Sequence, residues 1–545
     1  MNKKKKYFFY LVLIVCLFSF LLSNQLNLSY NLKYAEGKGN SRNYFENYFN
    51  KKYFFDNGLY IYSQLEYSSP SLIGYNTEDV NDALNTFYIE YPGKSYDIKV
   101  GNLNLLYGRG LSIHTYQDRS IDYDNTLIGF ETNFYIRDNI DFSVALGKTD
   151  FKSRINPGDI LPSLSIDNNM FAFNVLGYFN NFNAHYSGMI YDQEYDYSDI
   201  YRMMSLSNNL GNYLSSREDF IINEQPNDNL RNVEHNFGLD FNFSGISFYL
   251  ENSFVFYDKL LAERMSGSRT YFSSYVNILD FNIFFEYKNY NTPYLFSVFS
   301  NSPIGYRESS SVLLSRYNHS IDFNNEYGYQ LEINKSFDSS FNFLCSYATA
   351  LRHRDNLSNP NILKFSQISF YSNDLLEYSD FSPFRQLYFE FSGWDKIDES
   401  YYKIRFDLYH EIQNAFVDEE IVEQKNIFTR TIPTQFVLKL NKANSITFYI
   451  ELQEKVDKIT NEKSSYRYFS PSYNHSGIWS LTFFSDQQLG DRLWKGIDYT
   501  YNFKNSSQLS LFVGSQKGGL VCANGSCVVQ PDFEEGLKIT YLVSF

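Results

Sequence analysis

From Leu26 to Phe545 apolar and polar positions alternate with a period of two, and short polar turns interrupt the alternation at close intervals. Successive side chains of a strand point to opposite faces, so this pattern predicts half-buried strands joined as hairpins. FAFNVLGYFNNFNAHYSGMIYD, Phe171 to Asp192, reads as one such hairpin turning at Asn180–Asn181. In HNFGLDFNFSGISFYLENSFVFYD, His235 to Asp258, Phe237, Leu239, Phe241 and Phe243 share a face before a turn at Ser244–Gly245. Tyr327 to Ala350, Thr434 to Val456 and Gly496 to Gln516 repeat the arrangement, with turns expected near Asp338, Lys442 and Asn505. The last run, GLKITYLVSF, puts Leu537, Ile539, Tyr541, Val543 and Phe545 on one face and Lys538, Thr540 and Ser544 on the other.

Longer polar segments separate some pairs, at Asp192 to Asn232, Arg352 to Asn361 and Asp486 to Trp494. Short turns at one end and long loops at the other are the layout of an outer-membrane barrel. At roughly 20 to 24 residues per strand and connection, about 520 residues give on the order of 22 to 26 strands. Individual segments number nearer 28, so a few short ones belong to a loop or plug. The expected fold is therefore all-β: a large single-chain transmembrane antiparallel β-barrel of about 22–28 strands. Closure is required physically, because an open sheet of this length would leave unpaired edges, and in lipid each unpaired backbone group is costly. The terminal strand then closes the ring with its apolar face to lipid, and Tyr541 and Phe545 supply a terminal-aromatic assembly signal at the periplasmic interface.

MNKKKKYFFYLVLIVCLFSFLLSNQ sets Lys3 to Lys6 before an apolar run from Tyr7 to Leu22. This is a secretory layout, with residues 1–25 as a signal peptide exported through the Sec pathway and cleavage near Ser23 to Gln25. An uncleaved anchor is the alternative. Beyond Leu22 no run reaches the roughly 18 apolar residues a spanning helix needs, so any further crossing falls to strands of the 26–545 barrel.

Composition sharpens this picture. Fifty Tyr and 52 Phe stand beside three Trp, while mean hydropathy is −0.39. A chain so aromatic yet polar on average must separate the two characters at short range, as alternating strands do. The net charge of −15 argues against nucleic acid, which needs clustered Lys and Arg. Twelve scattered prolines and the absence of a Gly/Ser linker argue against a multidomain chain. Blade or Cys–Trp–Cys repeats, expected of a secreted propeller or sandwich, do not recur.

The densest local sequence is GNLNLLYGRGLSIHTYQDRSIDYDNTLIG, Gly101 to Gly129. Its glycines permit a bulge or close backbone approach, and its arginines, Arg109 and Arg119, need carboxylate partners inside a barrel. Asp118, Asp122 and Asp124 are the nearest acids, and Tyr107, His114 and Tyr116 line the same region. The segment 101–129 is thus a candidate lumenal or constriction element, either a bracing charge network or a ligand contact. Cys522 and Cys527 flank Ala-Asn-Gly-Ser, where Asn-Gly is a strong two-residue hairpin signal. That hairpin opposes the two cysteines in a non-hydrogen-bonded pair that can form a disulfide, and Cys345 is left over.

Two segments carry a family resemblance: Tyr107-Gly108-Arg109-Gly110 with Thr115-Tyr116-Gln117-Asp118-Arg119, and GGLVCANGSCVVQPDFEEGLKI from Gly518 to Ile539. They resemble an uncharacterised family of Bacteroidota outer-membrane β-barrels, a domain of unknown function. The resemblance implies fold and location in the cell outer membrane of a Gram-negative organism, and no activity.

No G-x-S-x-G, H-E-x-x-H or phosphate loop occurs, and His114, His185, His235, His319, His353, His410 and His475 are dispersed. No catalytic residue, metal site or cofactor is expected. Barrels of this width enclose a channel or plug, so the sequence points to a channel or transporter for small polar or amphiphilic solutes. The alternative is a non-conducting outer-membrane anchor or accessory, recognised by a surface or secretion partner through an extracellular loop at 193–232. Expected partners are outer-membrane lipid, lipopolysaccharide and the barrel-assembly machinery.

Overall fold

The computed structural model describes residues 25–545 apart from 40, 74–79, 138, 154–163, 196–228, 259–264, 293–297, 310, 320, 338–339, 354–383, 396–398, 418–419, 491, 505 and 524–525. Residues 1–24 of the expected signal segment, the turn residues Asp338 and Asn505 and most of the 193–232 loop lie outside the described residues. Twenty-four strands form one antiparallel sheet. Each pairs with its neighbour in sequence, and the first, Gln25–Lys38, pairs with the last, Phe533–Ser544, from Ser29 opposite Ser544 to Glu36 opposite Leu537. Phe545 extends this seam through its backbone N–H, which donates to the Leu28 carbonyl at 2.9 Å. The sheet is therefore closed, and no barrel edge is left for water or lipid to satisfy.

Period two in the sequence becomes inside and outside in the wall. In the strand Ile246–Asp258, Phe248, Leu250, Phe254 and Phe256 are exposed outward, while Tyr249, Glu251, Ser253 and Val255 are buried inward. The predicted face of Phe237, Leu239, Phe241 and Phe243 is likewise exposed. Outward apolar side chains suit hydrocarbon, and the buried set is rich in Asn, Ser, Thr and paired charges, the inverse of a soluble core.

Turns at the end that carries Gln25 and Phe545 are short. Ser244 and Gly245 both have positive φ, as do Ser476 and Gly477, the backbone that lets a two-residue turn follow the twist of its strands. Longer connections gather at the opposite end. Six further strands are short pairs within them: Leu106–Tyr107 with Ile113–His114, Gln117–Asp118 with Tyr123–Asp124, and Gly519–Ala523 with Ser526–Gln530.

Two polar segments differ from expectation. Asp486 to Trp494 is not a long loop, because the strands Trp479–Gln488 and Leu493–Asn502 leave only a tight turn between them. Asp192 to Asn232 is partly strand, running to Tyr195 and resuming at Asn229. Arg231 and Asp192 pair there at 2.7 Å, so polar side chains extend the ladder where sequence pattern suggests a loop.

Candidate functional site

The connection 104–126 folds into the barrel and is anchored on a distant wall. The Arg109 backbone N–H donates to Glu251 Oε2 at 2.7 Å, and Glu251 also accepts from Asn236 Nδ2 at 2.7 Å. Two residues on, the Leu111 carbonyl accepts from Arg269 Nη1 at 3.3 Å, whose charge is balanced by Glu234 at 3.1 Å. Glycine is needed for this approach. Gly108 has φ +61° and a Cβ there would lie 2.5 Å from Glu251 Oε1; at Gly110, φ +86°, it would lie 2.8 Å from the Asn301 carbonyl.

A second connection, 292–324, which the sequence pattern does not single out, enters from the other side. Glu451 accepts the backbone N–H groups of Val312 and Leu313 at 2.8 and 2.7 Å. Lys288 Nζ reaches Glu326 at 2.5 Å, and His319 bridges Glu326 at 3.0 Å and Glu411 at 2.6 Å. Burial alone would lower the His319 pKa, but the two carboxylates outweigh it and raise it.

The two connections then join each other. His114 N–H donates to the Phe299 carbonyl at 2.6 Å and Asn301 N–H to the Gly110 carbonyl at 3.1 Å. Asn125 Nδ2 donates to the Val298 carbonyl at 2.7 Å, and Asn301 Nδ2 to Tyr116 Oη at 2.9 Å. The result is a continuous strut of wall, loop, loop and wall. Buried carboxylates satisfied by backbone N–H groups are strong contacts, and losing one partner leaves the other unsatisfied.

Beside this strut, at the loop end, lies a cavity of about 780 Å³ bounded by eight carboxylates and four basic side chains. Asp118, Arg119, Asp122 and Asp124 border it, facing Glu46 and Glu66 on the wall. The Arg119 guanidinium sits 4.3 Å over the Tyr48 ring. Asp118 accepts from Ser120 N–H at 2.8 Å, and Asp124 from Thr126 N–H at 2.9 Å and Gln117 Nε2 at 3.1 Å. Burial raises the Asp124 pKa. Asp122 holds the turn with φ 51°.

The other expected residues go elsewhere. Arg109 does not join Arg119: its guanidinium lies 4.6 Å over Tyr249, against the opposite anchor. Tyr107 is buried, and among the described residues its hydroxyl has no hydrogen-bond partner. His114 packs on Tyr116, which stacks on Tyr123, and burial lowers the His114 pKa. The segment 101–129 is thus divided between a strut half, with Tyr107 to His114, and a cavity half, with Asp118 to Asp124.

Cys522 is held in a disulfide, and strand register sets Cys527 opposite it. The described parts of the hairpin pack against other loops. Val528 packs with Ile73 and Ile121, and Gly519 lies against Arg316 of the 292–324 connection, so it wedges between both inserted connections.

The anchors Glu251, Glu451, Arg269 and Lys288 are absent from any sequence motif. Their one signal is parity: each is a charge on the inward face of a strand whose other face is apolar. Which loop each meets is fixed only by closure of the ring.

Among solved structures, the siderophore receptor PirA from Pseudomonas aeruginosa is similar over 96% of this chain and 80% of its own, at 8% identity and TM-score 0.46. The P pilus usher (PapC) translocation pore is similar over 95% and 99%, at 9% identity and TM-score 0.44. The copper transporter OprC is similar over 96% and 80%, at 8% identity and TM-score 0.45. No curated protein matches the sequence. The family of unknown function DUF6029 matches residues 15–545.

Proposed function

The chain belongs to DUF6029, a family of unknown function, and we propose that it is an outer-membrane barrel of transporter type that admits small polar solutes past an inserted strut. The observation that carries this reading is the charged cavity of about 780 Å³ beside the 104–126 connection. It falls in the size range of small-ligand sites, and its polar lining offers hydrogen bonds rather than a packed core. Its excess of carboxylates favours neutral or cationic solutes over anions. The apolar exterior and closed sheet support residence in lipid, and export by the Sec pathway to a Gram-negative outer membrane, contacting lipid and lipopolysaccharide, accords with them. The strand ending in Tyr541 and Phe545 is the segment we assign to the barrel-assembly machinery.

The strut also favours a second reading, in which the barrel is braced shut and serves as an anchor for a surface or secretion partner. Liposome swelling separates the two. Proteoliposomes of the transporter should swell in a neutral pentose or a small organic cation and less in an anion of equal size. No swelling in any solute, with a stably co-purifying partner, would replace the transporter by the anchor.

A further inference from the structure

Leu72 and Gln530 border the acid-lined cavity and also a second, quite different space. There, two adjoining cavities of about 370 and about 220 Å³ share Arg316, Lys517 and Lys538. The three cations are incompletely matched. Arg316 Nη2 contacts Asp486 Oδ2, but among the described residues Arg316 Nη1 and Asp486 Oδ1 are buried with no hydrogen-bond partner. Lys538 Nζ donates to the Gln516 side-chain oxygen at 2.7 Å, and Lys517 Nζ approaches Gln488 Oε1 at 3.5 Å. Among the described residues neither ammonium is in an ion pair.

The nearby acids also have partners of their own: Asp498 accepts from Thr500 at 3.1 Å, and Asp532 from the Gly518 N–H at 2.6 Å. Aromatic rings lie against the cations and line the cavities beside them. Lys538 lies 4.4 Å over Phe533, Lys517 lies 4.9 Å over Tyr466, and Phe484 stacks on Phe512 at 5.6 Å. Buried donors without acceptors are costly, and several cations held together by rings and amides offer a place for one negative group. Burial, with the neighbouring Arg316, holds the Lys517 pKa below the usual lysine range against the opposing pull of Asp486 and Asp532.

We propose that this pocket binds a small oxyanion, carboxylate or phosphate monoester, carried on an apolar or aromatic body. Arg316, Lys517 and Lys538 take the charge, and Phe484 and Phe512 take the body. The site is separate from the acid-lined cavity and does not require that the barrel conduct.

Calorimetric titration of the full chain in detergent micelles tests it, with phenyl phosphate, benzoate, inorganic phosphate, benzyl alcohol and benzylammonium as probes. Phenyl phosphate and benzoate should bind, inorganic phosphate more weakly, and benzyl alcohol and benzylammonium at least tenfold more weakly than phenyl phosphate. K517Q/K538Q should weaken the two aromatic anions at least tenfold, and K517R/K538R should restore them. Heat-modifiable gel mobility checks that each variant is folded. Absent anion binding, equal binding of benzylammonium, or unchanged affinity in folded K517Q/K538Q would overturn the site. Should K517Q/K538Q not fold, equal wild-type affinity for phenyl phosphate and benzyl alcohol would overturn it as well. Anion binding without solute passage would leave this site standing and remove the transporter reading; passage without anion binding would do the reverse.

Discussion

Glu251 and Arg109 lie 142 positions apart, yet the Arg109 backbone N–H donates to Glu251 Oε2 at 2.7 Å inside the barrel. A carboxylate of the wall, rather than the arginine's own side chain, therefore fixes the 104–126 connection. Glu251→Gln keeps the shape and removes the charge from these hydrogen bonds, so it should destabilise the inserted connection by about 1.5–3 kcal/mol. Limited proteolysis should then cut within 104–126 faster than in wild type, with heat-modifiable mobility retained. Unchanged cleavage would show that Glu251 is not the anchor.

Gly108→Ala places a methyl group where Glu251 Oε1 would lie 2.5 Å away, at a backbone φ of +61°. The left-handed conformation alone costs about 1–3 kcal/mol for a residue with a side chain. Thermal unfolding in micelles should shift downward, and the shift should shrink in a Glu251→Gln background, where the anchor is already weakened. Equal shifts in both backgrounds would separate Gly108 from the anchor.

His319 gives the 292–324 connection a pH dependence with a definite sign. Its folded pKa is raised above 6.5 because the pull of Glu326 and Glu411 outweighs burial. The folded state therefore holds the proton more tightly, and the resulting stability is complete below 6.5 and lost as pH rises through the folded value. Thermal stability measured between about pH 6 and 9 should fall, and His319→Gln should flatten that fall. A wild-type curve that rises across this window would contradict the assignment.

Cys522 closes a hairpin wedged between two inserted connections, while the ring itself closes through Gln25–Lys38 and Phe533–Ser544. Replacing Cys522 and Cys527 with Ser should leave the protein membrane-integrated and heat-modifiable, while proteolysis around 519–530 quickens. Loss of membrane integration in the double variant would make the disulfide part of barrel assembly instead.

The wall was legible because alternation is local: Phe248, Leu250, Phe254 and Phe256 announce an outward face within nine residues of sequence. Loop lengths were less so, since Arg231 and Asp192 extend a ladder with polar side chains where pattern alone reads a loop. Within the site, Asp118, Arg119, Asp122 and Asp124 stand near one another in sequence and border one cavity. Arg109, ten residues from Arg119, faces another wall because the chain between them crosses the lumen. The contacts from Glu451 to Val312 and Leu313 have no local trace at all, for they depend on strands far apart in the chain meeting across the closed ring.

Single-channel current across a planar bilayer tests the central claim most directly: two connections, anchored by Glu251 and Glu451, restrict an otherwise wide lumen. Wild-type protein should give small, cation-preferring current steps, and Glu251→Gln with Glu451→Gln should give steps several times larger from equally well-folded protein. Large wild-type steps that the double substitution leaves unchanged would contradict the account.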